Sequence, residues 1–332
     1  MKIAVLFGGT SDERGVSIAS AAQIIPALRN LGHDVFAVDT ATGRLASTAE
    51  QQLLTSGVAP TPPSSAEMAR VRGHAIDFAA ATDIRAADVV FIALHGGAGE
   101  DGRLQAMLDL AGVAYTGSNH IASAAAMDKD LAKRIFRSVN IPTADWLMTP
   151  VTAAEVDVAL GWPVIVKPSK QGSTVGLTLV RNSSDLEAAI KRALEFDDEV
   201  MVERFIPGRE FTVGILDGAA LPVGEIFSPG EVFDYKSKYQ SGAAREVFPA
   251  DLSGKEATQL QDYALRAHRV LKLGVYSRID FRLDANGVFW CLEANSLPGM
   301  TATSLLPQAA QAAGFGFPEL LERICQGAVR RR

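Results

Sequence analysis

The period of hydrophobic and polar positions changes several times along the chain, and each change marks out an element. Lys2 to Phe7 is a nearly unbroken apolar run that stops at Gly8-Gly9; helical spacing follows from about Val16 to Leu31, and a second apolar run covers Asp34 to Val38. Short runs without alternation on either side of a helical stretch predict a βαβ unit whose strands are covered on both faces, and Val89 to Leu94 (VVFIAL) predicts a further strand of that sheet. Residues 40 to 87 are weakly patterned, with Pro60, Pro62 and Pro63 among small polar residues, and are expected to be peripheral and partly mobile.

From Asp128 a helix with Leu131, Ile135 and Phe136 on one face is predicted to run to Val139 and to end before Pro142, placing a boundary near 118 to 128. A smaller α+β unit is expected next, with strand Val164 to Lys167, a loop, strand Leu177 to Val180, helix Ser184 to Phe196 and strand Val200 to Glu203. The remainder predicts strand Glu210 to Leu216, a long irregular segment at 228 to 248, helix Glu256 to Leu271, a hairpin, and a helix from Phe317.

The hairpin, Arg278 to Asn295 (RIDFRLDANGVFWCLEAN), carries the first chemistry. Ile279, Phe281 and Leu283 alternate with Arg278, Asp280 and Arg282, and Asn286-Gly287 is the dipeptide of a two-residue type I′ turn. That turn would set Asp280 opposite Glu293 and Arg278 opposite Asn295, all on one face. Facing carboxylates repel unless a cation lies between them, and the hard oxygens of Asp280, Glu293 and Asn295 suit Mg²⁺. A solvated hairpin with screened charges is the alternative, and the apolar Phe289, Trp290, Cys291 and Leu292 argue for a lined cleft instead.

Composition narrows the class. Of 332 residues 48% are hydrophobic and 21% charged, which is ordinary for a globular protein and long enough for two or three domains. A net charge of -6 with no run of Lys and Arg argues against nucleic acid as partner. No stretch approaches the roughly 20 apolar residues of a membrane span, and MKIAVLFGG reads as a first strand, not a signal peptide. Cys291 and Cys325 are the only cysteines, without metal spacing, and point to buried thiols in a reducing cytoplasm.

Four further segments could bind ligands. Lys167 to Gly176 (KPSKQGSTVG) joins two strands with glycines, hydroxyls and lysines suited to a polyphosphate, and does not fit GxxxxGK[ST]. Gly8 to Glu13 opens a helix, where Asp12 and Glu13 would repel a pyrophosphate; Glu13 either holds an ammonium or simply stabilises the helix dipole. His95 to Gly102 (HGGAGEDG) follows the VVFIAL strand at the sheet edge where open α/β sheets bind ligands, so His95 is expected to contact substrate. Residues 228 to 248 contain Tyr235, Lys236, Lys238 and Tyr239 and are long enough to be a lid that lowers onto an anion.

In order, GGTSDERGVS, ALHGGAGEDG, YTGS with MDK, VIVKPSKQGSTVG, DYKSKY and RIDFRLDANG leading into LEANSLPGMT resemble the D-alanine–D-alanine ligases of the ATP-grasp superfamily, over essentially the whole chain. The resemblance implies an α/β protein with an N-terminal Rossmann-like domain (1–117), a central ATP-grasp domain (118–203) and a C-terminal ATP-grasp domain (204–332) with the lid and the metal hairpin. It implies that Lys129 and Lys167 contact ATP phosphates, that Glu203 lies by the adenine and that Glu210 binds the ribose. Mg²⁺, two ions, with Mn²⁺ as a substitute, would be held by Asp280, Glu293 and Asn295. Glu13 would bind the first D-alanine's ammonium with His95 nearby, and Ser304, the Leu305 backbone and Lys238 the second substrate's carboxylate. Ser173 and Tyr239 would join Glu13 to the lid, and either is a candidate base. Arg278 and the Gly299 N–H would stabilise the oxyanion. The expected activity is D-alanyl-D-alanine synthesis through an acyl phosphate for peptidoglycan precursors, by a homodimer. A ligase with another acceptor (D-serine, D-lactate or another amino acid) and a non-catalytic nucleotide sensor are the alternatives. Gly15 departs from the family's usual larger, commonly acidic residue, and Tyr239, where ester-forming relatives carry phenylalanine, favours an amide product.

Overall fold

The computed structural model describes residues 1–55, 82–228, 230 and 245–331, and three sheets lie among them. The first has the order Gly43–Arg44, Asp34–Asp39, Lys2–Phe7, Val89–Ile92. Its three longer strands are parallel, with Ile3 beside both Val35 and Val89. All but the ends of these strands are buried, as unalternating apolar runs require. The crossover helix Arg14–Asn30 buries Ile18, Ala21, Ile24, Ile25 and Leu28 against this sheet. Helix Phe317–Arg330, from far along the sequence, places Leu320, Leu321, Ile324 and Cys325 in the same core.

The second sheet is antiparallel, in the order Trp146–Met148, Val200–Arg204, Val164–Pro168, Thr178–Val180. In the third, Arg209–Leu216 and Tyr276–Leu283 pair antiparallel at the centre, flanked by Phe289–Asn295 on one side and by Gly224–Phe227 and Arg245–Val247 on the other. Helix Gly254–Val270 begins with a capping box between Ser253 and Glu256 and covers this sheet through Leu260, Ala264 and Ala267.

Several expectations need correction. Of residues 40 to 87, the described ones form strand Gly43–Arg44, helix Ser47–Leu54 and the short helix Thr82–Arg85, elements the weak pattern did not announce, while 56–81 lie outside the described residues. The far end of the 228 to 248 segment is a strand, Arg245–Val247, because it pairs with Gly224–Phe227; Tyr235, Lys236, Lys238 and Tyr239 lie outside the described residues. Helix Lys129–Ser138 buries only part of the stripe expected of it, Phe136 fully and Ile135 against the same core. Leu131 is 43% exposed, while Lys129, Ala132, Lys133 and Phe136 face inward.

The hairpin reaches the expected pairing by another route. Asp280 faces Glu293 and Arg278 faces Asn295, but Leu283 pairs with Phe289, one step out of a two-residue turn. The loop spans three residues: Gly287 N–H bonds Asp284 O, Val288 O accepts from Asp284 N–H, and Gly287 alone has a positive φ, +79°. A bulge beyond Phe281↔Cys291 then absorbs Leu292 and restores the pairing. Its effect is on facing: Phe289, Cys291 and Ala294 enter the core, and Glu293 is released to the other side with Leu292. A bulge-free strand keeping the Asp280–Glu293 pair would have put Cys291 on the carboxylate face. Among the described residues no helix is long and apolar enough to cross a membrane.

Candidate active site

Between the second and third sheets lies a cavity of about 920 Å³ including its open mouth, within the size range of small-molecule sites. Its lining combines the apolar Ile165, Phe205, Ile206 and Leu292 with the charged Lys129, Lys167, Asp280 and Glu293. A ligand with an apolar portion joined to a polyanion matches that lining. Glu210 borders it too, its carboxylate 3.0 Å from the guanidinium of Arg282, which also donates to Ile206 O.

Lys167 is held by a buried carboxylate that it shares with Lys133. Glu203 is 4% exposed; one oxygen accepts from Lys167 Nζ at 2.7 Å and the other from Lys133 Nζ. Burial alone would raise its carboxyl, but the two ammonium charges and their hydrogen bonds outweigh it and hold the group down at about 2. Lys133, fully buried and also donating to Thr143 Oγ1 at 2.8 Å, was not anticipated. Its four-residue spacing from Lys129 on one helix was the available signal. Lys129 Nζ donates to Gln171 O at 2.6 Å and lies 3.5 Å from Glu293. It thereby ties the glycine-rich loop to the hairpin. In that loop Ser173 and Thr174 both hold positive φ, 51° and 60°, an uncommon conformation for side-chain-bearing residues that gathers strain at a ligand-facing turn.

Asp280 is the best-supported carboxylate of the site. Arg278 grips it with Nε at 2.9 Å and Nη2 at 2.8 Å, Thr212 Oγ1 donates at 2.7 Å, and Asn295 Nδ2 at 3.0 Å. With Glu293 opposite, the hairpin presents two carboxylates and an amide in one patch. An all-oxygen set without His or Cys fits a hard divalent cation such as Mg²⁺, which takes few protein ligands; among the described residues no cluster of three or more His, Cys, Asp or Glu competes with it.

A second cavity, about 650 Å³ with its mouth, shares Gly172, Ser173, Arg278 and Leu305 with the first. It is lined by Glu13, His95, Gly299 and Ser304 among others. Glu13 is the N-cap of helix Arg14–Asn30 yet makes no capping bond; its carboxylate instead accepts from Ser173 Oγ across the sequence, which favours a site role over a dipole role. His95 is 5% exposed with both ring nitrogens engaged, Nδ1 on Leu297 O at 3.1 Å and Nε2 on Ser20 Oγ at 3.0 Å, and burial lowers its pKa. Neutral, donating from Nδ1 and accepting at Nε2, it locks the Leu297 loop to the first sheet. Glu100, from the same glycine-rich segment, was not singled out; burial, then the charge of Glu13, pushes its carboxyl up to about 8. Ser304 caps helix Leu305–Ala312 without a side-chain cap bond, its Oγ lying 2.8 Å from Thr301 Oγ1 and accepting Thr301 N–H at 3.1 Å. That helix start borders both cavities through Leu305. Cys291 and Cys325 are buried free thiols with pKa values raised by burial, as expected of inert cysteines.

The fold is similar to a solved structure of D-alanine–D-alanine ligase from Bacillus anthracis, with a TM-score of 0.77, 31% identity, and 100% of this chain and 98% of that one covered. It is also similar to the VanG D-Ala:D-Ser ligase from Enterococcus faecalis, with a TM-score of 0.82, 26% identity and 99% of each chain covered. These likenesses and the site define the class, a ligase of mixed α/β, ATP-grasp fold. Family models described as D-ala D-ala ligase N-terminus and D-ala D-ala ligase C-terminus match residues 2–118 and 130–326. A D-alanine–D-alanine ligase of Synechococcus sp. (strain JA-3-3Ab) is 40% identical over 336 residues, covering 100% of this chain and 94% of that protein. The chain belongs to the D-alanine–D-alanine ligase family.

Proposed function

We propose that the chain joins two D-alanines into D-alanyl-D-alanine, converting ATP to ADP and phosphate through an acyl phosphate, and so supplies peptidoglycan precursors in the cytoplasm. The observation that carries this reading is the junction of the two cavities at Ser173 and Arg278. A nucleotide in one and amino acids in the other would place a γ-phosphate next to a carboxylate.

In this reading the adenine lies between Ile165, Phe205, Ile206 and Leu292, with Glu210 at the ribose and Lys129 and Lys167 at the phosphates. Glu203 aligns Lys167 and sits behind the base. Mg²⁺, or Mn²⁺ in its place, bound by Asp280, Glu293 and Asn295, supplies charge neutralisation at the phosphates. Glu13 holds the first D-alanine's ammonium, with His95 fixing the adjoining loop. The carboxylate of that D-alanine attacks the γ-phosphate. Ser304 and the Leu305 N–H, at a helix start, receive the carboxylate of the second D-alanine, and Lys238, outside the described residues, would add its charge to that contact. Its amine, after losing a proton, attacks the acyl carbon while Arg278 and the Gly299 N–H stabilise the oxyanion, and phosphate leaves. Ser173, which donates to Glu13, and Tyr239, outside the described residues, are the candidate bases. The segments 1–117, 118–203 and 204–332 would form a Rossmann-like and two ATP-grasp domains, and the active molecule would be a homodimer.

The test is an assay for ADP release coupled to mass detection of the dipeptide. Turnover should require both D-alanine and Mg²⁺. Equal turnover with L-alanine, or ADP release without dipeptide, would refute the assignment.

A further inference from the structure

Arg282 is a charged side chain among the apolar residues that line the first cavity, and the ligation chemistry gives it no task. By alternation along Tyr276–Leu283 it shares a face with Arg278 and Asp280, and across the sheet it stands directly opposite Glu210. Nη2 donates to Glu210 Oε2 and Nη1 to Ile206 O, both at 3.0 Å, while the guanidinium carbon lies 5.2 Å from the centroid of the Phe205 ring. A single side chain, only 10% exposed, therefore holds a ring, a carbonyl and a carboxylate.

The three groups lie together for a reason of topology. Phe205 and Ile206 belong to the crossing from strand Val200–Arg204 of the second sheet to strand Arg209–Leu216 of the third, and Glu210 stands at the start of the strand it leads into. The crossing is seated tightly, since a Cβ at Gly208 would collide with the carbonyl oxygen of Leu283, the neighbour of Arg282. Fixing Glu210 also changes what a ligand meets. A carboxylate that turns on its stem adapts to two hydroxyls, or to one, at little loss. One gripped by a guanidinium keeps a set plane, so a pair of neighbouring hydroxyls binds without the cost of ordering a glutamate. A ligand lacking one of the pair then leaves a desolvated charged acceptor short of a donor, and the acceptor cannot move to make up the loss.

We propose that Arg282 is a positioning residue for the nucleotide, which by fixing Glu210 and the Phe205–Ile206 crossing makes the site select ribose over deoxyribose. The proposal rests on the ligase reading above, in which Glu210 meets the ribose. Arg282 touches no reacting atom, and phosphoryl transfer and amide formation are unchanged.

The test uses the full chain with D-alanine and Mg²⁺. ATP and 2′-deoxy-ATP compete at equal concentration in one sample, and ADP and deoxy-ADP are counted by mass spectrometry. The wild-type protein should favour ATP about tenfold or more, the loss expected of one hydrogen bond to a charged group. R282M keeps a long stem against Phe205 but drops the guanidinium; its preference should fall severalfold, and its impairment should appear in the KM for ATP more than in kcat. R282K, a point charge without the fork, should recover part of the preference. E210A should abolish the preference, and adding R282M to it should move the ratio no further, because Arg282 acts through Glu210. The ratio counts turnover by folded molecules alone, so a variant that folds poorly still reports. An arginine that merely supports the fold would weaken both nucleotides alike. Equal use of the two by the wild type, a wild-type ratio in R282M, or a further shift when R282M is added to E210A overturns the proposal. Failure of the ligase reading shows separately, as absence of D-alanyl-D-alanine from the wild type with ATP alone as nucleotide.

Discussion

Glu203→Gln tests the lysine clamp most directly. In the folded protein the carboxyl is held at about 2 against an ordinary 4.5, since Lys133 and Lys167 together outweigh the cost of burial. A carboxyl depressed by folding stabilises the native state above its unfolded value and loses that contribution as pH falls towards its folded value. A difference of two to three pKa units corresponds to about 3 kcal/mol, present near neutral pH and fading between about pH 5 and pH 2. The glutamine variant removes the charge and strands Lys133 in a fully buried position, so its cost at neutral pH should be about 3–5 kcal/mol. Urea unfolding followed by tryptophan fluorescence is a suitable assay, because Lys133 Nζ lies 5.0 Å from the Trp146 ring centroid. The stability difference between wild type and variant should narrow steadily from about pH 5 down to about pH 3. Parallel curves over that range would refute the clamp as an ionised, stabilising unit.

Three further outcomes are expected. Glu293→Ala should cut Mg²⁺-dependent ligation by on the order of a hundredfold or more with little change in Tm, whereas Asp280→Ala should also lower Tm, since Arg278, Thr212 and Asn295 all bond Asp280; equal Tm losses in the two variants would contradict the hydrogen-bond pattern. Arg278→Ala should lower kcat more than it raises the KM for D-alanine, and a purely KM effect would remove Arg278 from the oxyanion. Deleting Leu292 should straighten the bulge while keeping Asp280 opposite Glu293, so the protein should fold and retain Mg²⁺ dependence but show a raised KM for ATP; an unfolded product would mean that the bulge is needed for more than facing.

Much of the fold was legible because its strands announce themselves. Lys2–Phe7 and Val89–Ile92 are apolar runs of the kind a covered parallel sheet needs, and Phe317 does open a helix. The facing of Asp280 and Glu293 was legible as well, though for an incomplete reason. A three-residue turn and a bulge offset each other, and sequence alternation alone does not show a bulge that leaves the distal pairing intact. Lys133 was hard to read because hydrophobic periodicity assigns lysine to solvent, and its burial depends on Glu203, on a strand of the second sheet far from its helix in sequence. Glu13 could be weighed only in place, where its carboxylate turns to Ser173 and not to its own helix. The double engagement of His95 follows from Ser20 and Leu297, two positions no local pattern connects to it.

The helix Phe317–Arg330 carries a consequence for biosynthesis. Its Leu320, Leu321, Ile324 and Cys325 complete the core beneath the parallel strands that open the sequence, and Arg331 donates to Gly117 O at 2.6 Å. During translation, strands made near the start therefore wait for a cover that emerges only after both antiparallel sheets. The ribosome delivers this molecule from one end to the other, but its first layer closes last. A fragment ending before Phe317 would expose that apolar underside, so the amino-terminal region should be aggregation-prone when expressed alone.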